Sequence, residues 1–397
     1  MLGVWMWPMS VLLRGALKTV NWCARAGVTD IFFLVKGRAG SVAYCSAYAP
    51  VVSERDLLRE LIDAAHRQGI RVHAWFTSAC DAHYKQLHPE SGRCHFQRGK
   101  DKGLISLVDE GYLSYMEKVI GETFASYEVD GLHLDYIRYN HMLYGWAEED
   151  VKRYAAEGAD TAHLQALMQR MLSCEHGEKL LLDACNAGDE SVLAFARTRR
   201  KDVVQFAERM IAAAQSQNSG LMLSAALMPE GSYDDTAYAD LHYGQNYEDA
   251  AKLYEYALPM AYSQAYNEDG QWVKRVAEGT MKRGLKTIVG VHAYEGGTGG
   301  TLQADLEALK ETPVEGICLF REGATAFALA EEKSLCLCNA LEEEITGVSV
   351  RAGDENILLD KRIASGEEAC FRLPFCAESV RVFTGEKESC VYLTRNI

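Results

Sequence analysis

The hydrophobic pattern of this chain changes period repeatedly, from about two residues to about 3.6 and back, and that alternation restricts the fold more than any other feature. Short apolar strand patterns fall at residues 3–7, 30–35, 71–76, 129–135, 221–227, 258–262, 287–294 and 316–320. Amphipathic helix patterns lie at 12–25, 54–68, 112–127, 200–215, 248–256, 272–283 and 324–343. Eight strands interleaved with these helices over roughly 340 residues fit an α/β chain folded as a (β/α)8 TIM barrel with one large insertion. A doubly wound open sheet is the competitor. It calls for a glycine-rich nucleotide fingerprint after an early strand, and Gly37-Arg-Ala-Gly-Ser41 has neither the spacing nor a helix directly behind it.

Two segments exceed a minimal barrel. Residues 140–199, between strand 4 and its helix, mix helical periodicity with aromatic residues and are predicted to roof the catalytic face. Residues 346–397 alternate between turn signals, as in Val348-Ser-Val-Arg351 and Val380-Arg-Val-Phe383, and read as a small β-rich C-terminal domain after a barrel domain of residues 1–345. Covering the barrel's edge or supporting a dimer suits this appendage better than binding ligand. The sequence leaves the oligomeric state open.

Composition sets the partners. A net charge of −15 provides no basic footprint for nucleic acid, and no apolar run is long enough to span a bilayer, so neither nucleic acid nor membrane is an expected partner. Twelve cysteines in a chain of this size, with Cys23 and Cys318 in predicted buried elements, read as mostly free thiols. Cys336-Leu-Cys338 falls within the predicted last helix, where alternate residues diverge. Met1 leads straight into strand 1 without a secretory signal, so a cytoplasmic protein is the expectation, although a secreted chain trimmed of its signal would look the same.

Strand 4 carries the chemistry. In Val129-Asp-Gly-Leu-His-Leu-Asp-Tyr-Ile-Arg-Tyr139, alternation puts His133 and Asp135 on one face and Leu132, Leu134 and Tyr136 on the other. A carboxylate at the end of a buried strand is costly unless used, and barrels display catalytic groups at strand C-termini.

These residues resemble the stretch DGxHxDYIRYP of the glycosyl-hydrolase-like family 10 barrels, a bacterial family. Val35-Lys-Gly37 with Tyr44-Cys-Ser46 resembles the family's second strand and loop, and Val72-His-Ala-Trp-Phe76 its third strand. Arg199-Arg-Lys-Asp-Val-Val204 is similar to a helix entered through paired basic residues, and Leu223-Ser-Ala-Ala226 to the fifth strand. Tyr243-Gly-Gln-Asn246 and Leu258-Pro-Met-Ala-Tyr262 are similar to the GQDW and PMAY elements. The likeness covers residues 3–330 and not the tail. It departs at Asn140, where the family has proline, and at Asn246 and Tyr247, which replace the aspartate and tryptophan of GQDW. The chitinase pattern DxxDxDxE fails, with His133 at its middle aspartate and Ile137 at its glutamate. The resemblance implies a glycoside hydrolase without cofactor, acting on an oligosaccharide or polysaccharide.

Glycoside hydrolysis needs a carboxylic acid for the leaving oxygen and a carboxylate as nucleophile or base. Asp135 takes the second role. Glu230 after strand 5 and Glu295 after strand 7 both stand as the acid, Glu230 slightly ahead by analogy with the α-amylase layout, and Glu322 is a third option. Trp7, Trp75, Tyr136, Tyr139, Tyr262 and Tyr294, at or near strand ends, suit stacking on sugar rings, Trp75 and Tyr262 best. Lys36 and Arg138 are expected to orient Asp135 or bind an anionic substituent. His73, His133 and His292 suit hydroxyl binding, or a metal site that would make this a metallohydrolase. A non-catalytic carbohydrate-binding barrel is the other alternative.

Overall fold

The computed structural model describes residues 1–294 and 297–394. Eight parallel strands close into a barrel: β1 (Leu2–Met6), β2 (Asp30–Lys36), β3 (Arg71–Thr77), β4 (Gly131–Asp135), β5 (Met222–Leu227), β6 (Tyr256–Pro259), β7 (Lys286–His292) and β8 (Gly316–Phe320), each beside the next and β8 returning to β1. Strands such as Asp-Ile-Phe-Phe-Leu-Val-Lys are apolar without alternation because helices cover one side and the barrel core fills the other. The helix Leu57–Arg67 shows how the outer layer forms: the Asp56 carboxylate accepts from the Arg59 amide at 3.0 Å, and Leu57, Leu58, Leu61, Ile62, Ala64 and Ala65 bury one face.

The predicted insertion is helical and has its own core. Helices Glu148–Ala156, Thr161–Ser173 and Glu178–Asn186 pack Tyr154, Leu164, Met168 and Leu181 against Phe195. Phe195 lies in the first part of the helix Glu190–Gln215, so the helix predicted at 200–215 starts ten residues earlier and spans both the insertion and the barrel wall. A hairpin, Gly92–His95 with Gly99–Ile105, also stands on this side. Arg93 anchors it, donating to the Arg138 carbonyl at 2.7 Å and the Asn140 side chain at 2.9 Å. Asn140 therefore does hydrogen-bonding work where the resembling family has proline.

The predicted helix over residues 324–343 is absent. The chain runs instead as strands Ala326–Glu331 and Ser334–Cys338, which join Glu368–Arg372 and Val391–Thr394 in one four-stranded sheet; a second contains Gly347–Ala352, Glu355–Leu359, Ser379–Thr384 and Lys387–Ser389. The reason is burial on both faces. Phe327 and Leu329 face the barrel's outer core while Ala326 and Ala328 face the core between the two sheets, so no polar residue marks the period of two, and Ala, Leu, Glu and Lys favour a helical reading. The first sheet lies against the helix Ala16–Arg25, where the Trp22 indole donates to Glu368 at 2.8 Å. The same change of element corrects the cysteine reading. Cys336 faces Cys370 across antiparallel strands and is bonded to it, while Cys338 stays free. The helix Gly299–Leu309 between β7 and β8 has no counterpart among the predicted elements. Among the described residues, no helix is long and apolar enough to cross a membrane.

Candidate active site

Asp135 closes β4, directly opposite Thr77 of β3, at the C-terminal mouth of the barrel. Its carboxylate is nearly buried and accepts from donors on every side: the Trp75 indole at 3.2 Å, Arg138 Nη1 at 3.1 Å and the Tyr136 amide at 2.6 Å. Tyr136 adopts φ of +57°, a left-handed conformation that a bulky residue avoids unless its surroundings impose it. This turn places the Tyr136 ring between two guanidinium groups, Arg138 at 4.3 Å and the exposed Arg38 at 5.4 Å.

The second carboxyl is Glu230, in the short turn Pro229–Ser232 after β5. Gly231 lets the turn lie flat on the fully buried Tyr247, whose ring a Cβ at that position would approach to 2.3 Å. Tyr247 is thus a floor under the loop rather than a sugar platform, and Asn246 caps the helix Tyr247–Leu253, a role aspartate fills equally well. Glu230 Oε1 accepts from the Tyr243 and Tyr266 hydroxyls at 3.2 and 3.3 Å, while its buried Oε2 has no hydrogen-bond partner. Burial raises the Glu230 pKa, opposed by its own backbone amide and the two tyrosine hydroxyls and, least of all, by the Arg138 charge. Arg138 is bonded to Asp135, and the donors on Glu230 are the two tyrosine hydroxyls.

Aromatic rings cluster beside Asp135. Tyr262 stacks on Phe320 at 5.4 Å, Tyr294 meets Phe320 edge-on at 5.5 Å, and His292 lies 5.6 Å from Tyr262. Trp75, which holds Asp135, meets Phe320 edge-on as well. Burial and the nearby Asp135 charge push the Tyr262 hydroxyl up. Trp7 stands at the end of β1 with the Arg321 guanidinium 3.7 Å over its ring.

Other candidates lie elsewhere. Lys36 is fully buried and pairs with Asp81 at 2.9 Å, so it neither orients Asp135 nor reaches substrate. His73 is bonded to Asp30 at 2.7 Å, at the opposite end of the barrel. His133 sits in the closed interior, accepting from the Trp5 indole at 3.0 Å and paired with Ser224 at 2.9 Å. Tyr139 donates to Asp202 at 2.6 Å with Arg199 3.8 Å over its ring, under the roof. Glu322 is fully buried between Ser10 and Arg14. His73, His133 and His292 do not form a group close enough to share an ion. Glu295 lies outside the described residues. Phe320, Arg38, Arg321 and the tyrosines around Glu230 were not singled out from the sequence. The run of tyrosines at 233, 238, 243, 247 and 266 was the available signal, but they meet only because two loops converge.

No protein-family model and no curated protein matches the sequence. Solved structures do match in fold. The glycoside hydrolase domain of PgaB (BpsB) from Bordetella bronchiseptica is 12% identical over 81% of this chain and 93% of that domain, with a TM-score of 0.62. A β-galactosidase from the psychrophilic Marinomonas ef1 is 13% identical over 81% of this chain and 54% of its own, at 0.57. The catalytic domain of a β-amylase from Paenibacillus polymyxa is 11% identical over 81% and 92%, at 0.53. The chain thus spans about half the length of the β-galactosidase. At these identities the likeness is one of fold, a glycoside-hydrolase-like (β/α)8 barrel. Membership of family 10 has no match behind it.

Proposed function

We propose that the protein is a glycoside hydrolase that cleaves an oligosaccharide or polysaccharide at the mouth of the barrel, with Asp135 as nucleophile or base and Glu230 as acid. The observation that carries this reading is a pair of nearly buried carboxyls on neighbouring strand ends that are held differently. Asp135 has a bonded guanidinium, an indole and an amide as donors, whereas Glu230 has two tyrosine hydroxyls, a raised pKa and one oxygen unbonded. Such a split matches the chemistry: the protonated Glu230 delivers its proton to the glycosidic oxygen while Asp135 attacks the anomeric carbon or activates water. Trp7, Tyr262, Tyr294 and Phe320 offer apolar faces for sugar rings, and Arg38 and His292 offer polar edges for substituents. Fold likeness to glycoside hydrolases supports the reading, and a sugar is the partner it implies.

The test is reducing-end release from a panel of oligosaccharides and polysaccharides, comparing wild type with Asp135→Asn and Glu230→Gln. Cleavage by the wild type that both variants lose is the expected result. Cleavage retained by either variant removes that residue from the mechanism. A panel on which nothing is cleaved while one glycan binds all three proteins replaces the hydrolase with a carbohydrate-binding barrel.

A further inference from the structure

Outside the mouth, one cluster of side chains has the composition and spacing of a metal site. His141 lies in the loop after β4, Glu178 opens the helix Glu178–Asn186 of the insertion, and His242 ends the helix Ala237–His242 that follows β5. One ligand atom from each falls within 4.8 Å of the others. His141 Nε2 is 2.8 Å from one Glu178 oxygen and His242 Nε2 is 3.5 Å from the other. A tetrahedral zinc with bonds of about 2.0–2.1 Å holds its ligand atoms about 3.3 Å apart, so the His141–Glu178 pair opens a little while the other separations close in.

The second observation is His242 itself. It is 1% exposed, its ring lies flat on Tyr238 at 3.8 Å, and neither ring nitrogen makes a hydrogen bond. A buried imidazole left with a 3.5 Å approach to Glu178 and no hydrogen bond is costly unless something takes a lone pair. The backbone is built for it: Arg199, fully buried, donates to the carbonyls of both His141 and His242 at 2.9 Å, fixing the two histidines relative to each other. The Leu143 amide now donates to His141 Nδ1 at 3.1 Å. Ligation through Nε2 moves the ring proton to Nδ1, so this contact opens, a loss small beside an imidazole–metal bond.

We propose that His141, Glu178 and His242 bind a divalent cation of the zinc type, two imidazoles and a carboxylate leaving a fourth position for water. The ion ties the helical roof to the β5 loop. Tyr243, next to His242, donates to Glu230, so the site lies one residue from the tyrosines that hold that carboxyl. It is a positioning site, and the proposal stands whether or not Glu230 is a catalytic acid.

The full chain, stripped with chelator, is dialysed against zinc and analysed for bound metal, and its melting temperature is measured with and without zinc. One equivalent retained, a rise in melting temperature, and loss of both in His242→Ala and in Glu178→Gln are expected. Glu178→Gln serves as the safer variant because that side chain is 44% exposed and its loss does not threaten folding. Cobalt substitution separates this site from the exposed thiols Cys45, Cys174 and Cys376. A tetrahedral visible spectrum without a thiolate charge-transfer band supports the site. A thiolate band, uptake unchanged in Glu178→Gln, or no uptake by the wild type overturns it.

Discussion

His133 and Asp135 stand two residues apart on the same face of β4, and they belong to different regions of the molecule. Below, His133 is finished: its Nε2 accepts from Trp5, its Nδ1 pairs with Ser224, and Phe32 packs 4.8 Å from its ring. Burial drives its pKa down, so the ring is neutral and all its capacity is spent on neighbours. Above, the chain bends through a left-handed tyrosine, Asp135 is tied to a cation, and Glu230 keeps a buried oxygen unbonded. Polarity inside a barrel therefore does not mark a site. What sets the mouth apart is the combination, on neighbouring strand ends, of a backbone held in a left-handed conformation and a carboxyl with a buried oxygen unbonded.

The largest expected effect tests this contrast directly. Asp135→Asn and Glu230→Gln should each lower kcat/KM by about a thousandfold, roughly 4 kcal/mol of barrel-mouth chemistry; Glu230→Gln should barely move the urea midpoint, whereas Asp135→Asn also strips the buried Arg138 of its counter-charge and lowers it. His133→Ala should do the reverse in kind. It leaves the Trp5 indole and the Ser224 hydroxyl unpaired beside a cavity, and a loss of about 2–4 kcal/mol in unfolding free energy is expected from denaturant titration. Equal destabilisation by the Glu230 and His133 substitutions would erase the distinction between the two layers.

A smaller effect lies in the pH dependence. Glu230 must be protonated to act as acid, and burial raises its pKa, so activity should persist above the ordinary glutamate range and fall as pH rises through the raised value. Arg138→Gln removes the nearby cation that opposes the shift, so the alkaline limb should move to higher pH among whatever activity remains. A limb that stays in place, or moves down, would separate Arg138 from Glu230.

The barrel was legible because parallel strands and their covering helices write strong periods, and Asp135 because a carboxylate ending an apolar strand has few structural uses. Less was legible wherever two faces are buried at once. The strand Ala326–Glu331 shows no alternation because it is covered on both sides, and its composition mimics a helix. The histidines misled for a related reason: alternation places His133 inward but is silent on how far along the axis its partners lie, and Trp5 and Ser224 come from other strands. Lys36 resembled a site cation until Asp81, 45 residues on, was seen to take its charge. Periodicity gives facing; only the fold gives pairing.

Asp305 supplies the finest test, being a second buried carboxyl with a raised pKa that is carried by an outer helix and not by a strand end. It sits on the helix Gly299–Leu309, accepts from the Ser263 hydroxyl at 2.8 Å, and burial pushes it up to about 6. Because the folded value is raised, the stability it contributes is fully present below the unfolded aspartate pKa of about 3.9 and is lost as pH rises from there through about 6. Asp305→Asn removes the charge that must be buried at neutral pH. The variant should therefore gain on the order of 1 kcal/mol over wild type in urea titrations above this window and nothing below it. Its activity profile is the sharper readout. With Glu230 as the acid, the alkaline limb of Asp305→Asn coincides with that of the wild type; a shifted limb would mean that the two raised carboxyls are coupled and that the boundary between site and scaffold lies further from the mouth than Asp135 and Glu230 suggest.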